Sequence, residues 1–335
     1  MEIRDVDVYD DDTFTQYYAI MRAAELHERP DAPMWSFEEA AVMFRHKEET
    51  EEWLPFAGYD DDTMVGTGFV VLFTMDNTDK AFTKVYVAPE RRRRGIGSAL
   101  IEHAVGLAES AGRTTVIAET TYGFEQRDGH HHRRFLEDRG FTLATNEIGR
   151  SMALPVAEEQ IQGWIDDAAV KHEGYRIESY EGPIPDAVLP SFCHVVSLLA
   201  AEAPTGDLEF EPETITPDIW RQREKKIEEQ GREMYTTVAL DADGNAVAAT
   251  QLAVPRYDRS KVYQWATLVL REHRGRRLGL AVKAHNLRQM QQAHPDRTSV
   301  YTCNEETNGP MVEINEMMGF RPIEIQAGFQ RKVTA

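Results

Sequence analysis

Ala266–Ala281 reads ATLVLREHRGRRLGLA, and the fold follows from how this stretch divides. Thr267–Leu270 is short, apolar and partly β-branched, the pattern of a buried strand. A basic turn follows. From Leu278 the pattern becomes helical, with Leu278, Val282, His285 and Met290 recurring at three to five residues. The segment is therefore a strand, a tight loop and a helix N-terminus. Such a terminus carries unpaired N–H groups and the positive end of the helix dipole. Small residues at Gly279 and Ala281 let an anion approach that backbone, and Arg276 and Arg277 add counter-charge. The chemistry is that of a pyrophosphate cradle after a strand.

The device occurs once more. Lys84–Val87 ends a strand, Ala88-Pro89-Glu90 turns, and Arg92-Arg93-Arg94-Gly95-Ile96-Gly97 leads into a helix from Ser98 to about Ala111. Gly95 and Gly279 lie 184 residues apart. Each half then closes a short helix on Gly-Phe, at Gly140-Phe141 and Gly319-Phe320, 179 apart. Two landmarks at nearly one offset predict an internal duplication. The two loops match (Gln/Arg)-x-x-Gly-x-(Gly/Ala) at Arg92–Gly97 and at Arg276–Ala281, and on these residues the chain resembles the GNAT acetyltransferase superfamily. Its tandem arrangement is similar to the two-domain, mycothiol-synthase-like branch.

The resemblance implies a mixed α/β fold of two tandem domains, each a mostly antiparallel twisted sheet with helices on both faces. The expected boundaries are 1–155, a linker helix within 156–174, and 175–335. The same order of elements is readable in both halves, with the clearest turn at Asp243-Gly244-Asn245. Ser36 with Glu39 forms a capping box, Thr216 caps a helix opened by Pro217, and Asp11-Asp12-Thr13 can cap the first helix. Closing strands are expected at Thr142–Leu143 and Ile148–Leu154, and Glu48–Glu52 reads as a solvated acidic run. Thr120–Gly129 reads as a loop before His130-His131-His132. Adjacent side chains point to different faces, so these histidines are expected to begin a solvated helix and hold no metal.

Length and composition bound the rest. The 335 residues suit two domains, and 41% hydrophobic residues suffice for cored ones. The net charge of -20 argues against nucleic acid, which needs a basic face, and suits attraction of small cationic amines. Two cysteines, Cys193 and Cys303, form no framework and suggest free thiols in a cytoplasmic chain. No signal peptide or membrane span is expected. The state expected is a monomer or homodimer.

The resemblance also implies acetyl-CoA as co-substrate. In the second half its binding falls to Leu268, Val269, Arg274, Arg276, Arg277, Leu278, Gly279, Leu280, Ala281, Asn304 and Asn308. In the first half it falls to Val87, Arg92, Arg93, Arg94, Gly95, Ile96, Gly97 and Ser98. A splayed strand end near Tyr86–Val87 or Leu268–Val269 would pair with pantetheine. The family pattern Asn-x-x-Ala-x-x-(Phe/Leu)-Tyr-x-x-x-Gly-Phe is only partly kept. Asn308 remains, but the tyrosine position holds Asn315 in one half and Leu136 in the other, and Gly129 replaces the first half's asparagine. The usual glutamate base position holds Lys84 and Ala266. Proton transfer must then borrow from Glu305, Tyr301 or Asn315, with Glu306, Cys303 and His285 nearby, or from water chains. The acidic loop with Asp207, Glu209 and Glu211 is expected to roof the acceptor side and recognise a cationic amine. These features imply an N-acetyltransferase acting on a small-molecule amine by direct attack, working in the second half. The alternatives are a non-catalytic acyl-CoA binder and a protein acetyltransferase.

Overall fold

The computed structural model describes residues 1–127 and 129–334; position 128, in the expected Thr120–Gly129 loop, lies outside the described residues. In chain order the elements are β1 (Glu2–Asp5), α1 (Asp11–Leu26), α2 (Phe37–Arg45), β2 (Glu51–Asp60), β3 (Thr63–Phe73), β4 (Lys80–Val87), α3 (Ile96–Ser110), β5 (Thr115–Gly123), α4 (His131–Glu137), β6 (Thr142–Ala153) and α5 (Glu158–Ala169). They continue with β7 (Arg176–Glu181), α6 (Leu189–Ser197), α7 (Leu199–Glu202), α8 (Pro217–Glu229), β8 (Arg232–Leu240), β9 (Ala246–Pro255), β10 (Lys261–Val269), α9 (Leu278–Ala293), β11 (Ser299–Glu305), α10 (Gly309–Met318) and β12 (Arg321–Lys332). The duplicated order is present: strand, helices, three-strand meander, cradle helix, strand, short helix.

The chain divides into two compact units. One comprises Met1–Ile148, Thr205–Glu209 and Ile323–Ala335; the other comprises Gly149–Pro204 and Phe210–Pro322. The last strand, expected within 175–335, groups with the first unit from Ile323 onward. In the first unit the strands run β1-β2-β3-β4-β5-β12 and then β6, whose residues from Gly149 onward belong to the second unit. β12 pairs antiparallel with β5, from Glu324 opposite Gly123 to Lys332 opposite Thr115. Alternation fixes which face a strand buries but not which neighbour it finds. β6 is one continuous strand in place of the two short ones expected, and Glu51 and Glu52, expected in a solvated run, open β2.

Two faces of the first sheet are covered. Leu100, Ile101, Ala104 and Ala108 recur at helical spacing on α3 and pack on Phe56, Val70 and Val116. On the other face Phe14, Tyr17 and Phe44 of α1 and α2 pack on Phe69 and Val71. Asp10, one residue before the expected cap, accepts from Thr13 N, and Ser36 and Glu39 complete the capping box. Leu100 is fully buried. Leu100→Ala is expected to cost about 3 kcal/mol in urea denaturation, the range for a truncated core leucine.

In the second unit the order is β11-β10-β9-β8-β7. Leu280, Ala284 and Leu287 of α9 join Ile161, Trp164 and Ile165 of α5 over Val262 and Val300. Phe192 and Trp220, from α6 and α8, cover Val238 and Ala249 on the opposite face. Thr216 caps α8 as expected, and Gly244 takes φ 85° in the β8–β9 turn.

The parallel pair in each unit opens. β4 and β5 pair only from Lys80 opposite Thr115 to Thr83 opposite Ala118, although both strands continue. They part at Lys84 and Glu119. β10 and β11 part likewise after Gln264 opposite Thr302. An opened pair leaves backbone groups unmatched, which a ligand can meet as a further strand.

Candidate active site

The two strand–helix joints align by their backbones. Arg92 Nε lies 3.5 Å from Val87 O, and Arg274 Nε lies 3.0 Å from Val269 O. Each is followed by a left-handed residue, Arg93 at φ 63° or Gly275 at φ 78°. A second left-handed residue is the helix N-cap, Gly95 at φ 83° or Arg277 at φ 53°. The joints are thus 182 residues apart, not 184. Arg274–Gly279, not Arg276–Ala281, answers to Arg92–Gly97, so Leu280 and Ala281 fall inside α9. The second copy holds Arg277 where the first has glycine. A left-handed side-chain-bearing residue costs roughly 1–2 kcal/mol, which glycine avoids.

The arginines differ more than the backbones do. In the second unit Arg274 Nη2 lies 2.5 Å from Glu202 Oε2, Arg276 lies 5.4 Å over the Tyr175 ring, and Arg277 donates to Asp167 O at 2.9 Å and to its carboxylate. All three are engaged within the protein. In the first unit Arg92 donates to Ala24 O at 3.2 Å, whereas Arg93 and Arg94 have no polar partner among the described residues. Two guanidinium groups there are available to an anion.

A cavity of about 750 Å³ opens between β4, β5, α3 and α4, and Arg92, Arg93, Gly95, Ile96, Gly97 and Ser98 are on its wall. Ser98 accepts a hydrogen bond from Arg139, whose guanidinium stacks 4.0 Å over Phe135. Where the strands part, Lys84 Nζ lies 2.5 Å from Glu119 Oε1 and 3.8 Å from Glu25 Oε1. Arg29 donates to Glu25 at 2.8 Å and to Glu324 at 2.7 Å. Tyr86 hydrogen-bonds to Glu25.

Burial opposes the charge on Lys84, but Glu119, Tyr86 and Glu25 outweigh it and hold its pKa above the ordinary lysine value. Lys84 is therefore an ammonium at neutral pH and cannot act as a base. Burial, partly offset by Lys84, pushes Tyr86 well up and keeps it a neutral phenol. His132 also lines the cavity; burial, then the neighbouring His131 and His130, lowers it to about 4. Glu25 and Glu119 were not legible as functional residues. Glu119 carried one signal, its place at the strand end opposite Lys84; Glu25 carried none beyond ending a helix. Contrary to expectation, the three histidines converge, their ring centroids 4.3–4.6 Å apart.

The residues expected to transfer protons in the second unit are engaged otherwise. Glu305 Oε2 accepts from Thr307 N and Thr307 Oγ1, both at 2.5 Å, and so closes a turn. Asn315 is wholly buried and donates to Asn304 Oδ1 at 3.0 Å; that oxygen also accepts from Arg150 Nη1 at 3.0 Å. Tyr301 packs edge-on against Tyr263. Asn308 is the N-cap position of α10. Leu268 is buried and Val269 half-buried. The acidic loop is divided between the units: Thr205–Glu209 belongs to the first, where Asp207 N donates to Ala144 O at 2.8 Å and Gln330 reaches Asp207 O at 3.3 Å. Glu209 and Glu211 are exposed.

Residues 14–141 match the acetyltransferase (GNAT) family. No curated protein matches the sequence significantly. The whole chain is similar in structure to a tandem GNAT protein from the clavulanic acid biosynthesis pathway, with a TM-score of 0.79, 23% identity and coverage of 99% of this chain and 98% of that one. A GCN5-related N-acetyltransferase from Sphaerobacter thermophilus gives a TM-score of 0.67 at 14% identity, covering 100% of this chain and 96% of its own. No helix among the described residues is long and apolar enough to cross a membrane.

Proposed function

We propose, for a chain whose residues 14–141 are a GNAT acetyltransferase domain, that the first unit binds acetyl-CoA and acetylates a primary amine of a small molecule. This replaces the expectation of a working site in the second half. The observation that carries the reading is the contrast between the cradles: a cavity with the unengaged Arg93 on its wall in one unit, three engaged arginines in the other. The α3 N-terminus with Gly95, Arg93 and Arg94 would hold the pyrophosphate. The unpaired edges of β4 and β5 would hold the pantetheine. Acetyl-CoA supplies an acyl group activated as a thioester.

The chain's own residues shape the acceptor end. Glu25 and Glu119 attract an ammonium and can take its proton directly or through water, freeing the amine lone pair to attack the thioester carbon; the C–S bond then breaks, and the thiolate takes its proton from solvent. Lys84 fixes both carboxylates and stays charged. Tyr86 donates and does not titrate in the working range. The same site is compatible with acyl-CoA binding alone, since Leu136 stands where the family's tyrosine acid would be.

The test is free-thiol release from acetyl-CoA over a panel of amines, amino acids and peptides, with CoA binding measured in parallel. Turnover with small amines is expected. Tight CoA binding with no release for any acceptor selects the binding-only reading. Glu119→Gln is expected to lower kcat at least about 100-fold, the lower end for loss of a proton-transfer group. It should leave CoA affinity within about twofold; an unchanged kcat removes Glu119 from the chemistry.

A further inference from the structure

We propose that Glu28, His131 and His132 form a binding site for a first-row divalent cation, Zn²⁺ foremost, at the mouth of the first unit's cavity. Glu28 lies two residues beyond α1, and the histidines lie in the first turn of α4. One donor atom from each of Glu28, His130, His131 and His132 lies within 4.8 Å of all the others. Glu28 Oε2 is 3.5 Å from His130 Nε2, and Oε1 is 3.8 Å from His131 Nε2. Tetrahedral zinc with bonds of about 2.0–2.1 Å spaces its ligands about 3.4 Å apart. The donors therefore need to close by about 1.4 Å at most.

The backbone explains why three consecutive histidines converge. His130 is the N-cap residue of α4, at ψ 142°, while His131 and His132 are already helical. The chain bends between the first ring and the other two, so all three face Glu28. His130 has a separate role. Its Nδ1 accepts from His132 N at 3.3 Å, which leaves the proton on Nε2, facing Glu28. It orients the carboxylate as an outer hydrogen-bond partner, an arrangement that steadies metal ligands. Glu28, His131 and His132 then supply two nitrogens and one oxygen, leaving a further position for water or an acceptor group. Glu28, His131 and His132 all line the cavity, so a bound cation would tie α1 to α4 across its mouth. The cation site lies on the α4 side of the cavity, apart from the α3 side proposed for the phosphates.

The experiment uses the full chain without a polyhistidine tag, stripped with chelator and titrated with Zn²⁺ against a chromophoric competitor. One Zn²⁺ per chain is expected. His132→Ala, His131→Ala and Glu28→Gln should each weaken binding at least about tenfold, and His130→Ala less than any of them. Circular dichroism and CoA titration of each variant report folding and the neighbouring site independently. Co²⁺ should give visible bands of a four-coordinate nitrogen–oxygen site, lost in His132→Ala. Absence of saturable Zn²⁺ binding, or binding that survives all three ligand variants, overturns the assignment. So does binding abolished only by Cys193→Ser with Cys303→Ser.

Discussion

Gly97→Trp is expected to abolish acetyl-CoA binding, at least about 100-fold by isothermal titration, while the equivalent Gly279→Trp leaves it within about threefold. A Cβ at Gly97 would already stand 3.3 Å from the Phe135 ring and 3.4 Å from Val87, on the wall of the cavity. An indole there occupies the approach to the α3 N-terminus and displaces Phe135. Each 1.4 kcal/mol is tenfold in affinity, so losing the phosphate contacts of a helix terminus and two arginines suffices for the expected effect. Gly279 is a fair control because it takes the same place in its joint and its Cβ meets Ile314 at 3.1 Å. Circular dichroism of both variants separates a blocked site from a lost fold. The opposite ranking would return the acetyl-CoA site to the second unit.

Lys283→Met is expected to stabilise the protein by about 2–4 kcal/mol at pH 7, and hardly at all near pH 10.5. Lys283 is almost wholly buried on α9, has no polar partner among the described residues, and places its Nζ 5.3 Å from the centre of the Phe320 ring. Burial alone lowers its pKa to about 7. An unfolded lysine titrates at about 10.4. Between those values the unfolded chain holds a proton that the folded chain has lost. Stability therefore rises as pH climbs through that window, and the full cost is present below about pH 7. About three pKa units at about 1.4 kcal/mol each set the scale at about 4 kcal/mol. Methionine keeps the stem's packing without the charge. Urea denaturation at pH 7, 8.5 and 10 reads the effect. An equal gain at all three would mean that packing, not charge, is responsible.

The sequence by itself determined the local devices and their repetition. Strand, tight loop and helix are written in short-range patterns: the β-branched run before Leu270, the glycine and arginine turn, the helical spacing after Leu278. Caps at Ser36 and Thr216 and the turn at Gly244 are likewise decided within a few residues. Two copies of those patterns made the tandem architecture and the GNAT resemblance readable. The register of the second cradle was not, because Gly279 fits the motif's first glycine as well as its last. Only the backbone settled it, through the two left-handed residues and the Arg274 bond to Val269 O.

Tertiary structure decided whatever depends on distant partners. β12 pairs with β5, and nothing in Arg321–Lys332 names that neighbour. Lys84 reads as a missing base until Glu25 and Glu119, from two other elements, are set beside it. Glu305 reads as a free carboxylate until Thr307 folds back on it. Arg93 and Arg277 look alike as residues, yet Asp167 engages only Arg277. A side chain's chemistry is fixed by its covalent structure. Its charge, freedom and role are fixed by which groups folding brings within a few ångströms, where desolvation and pairing act.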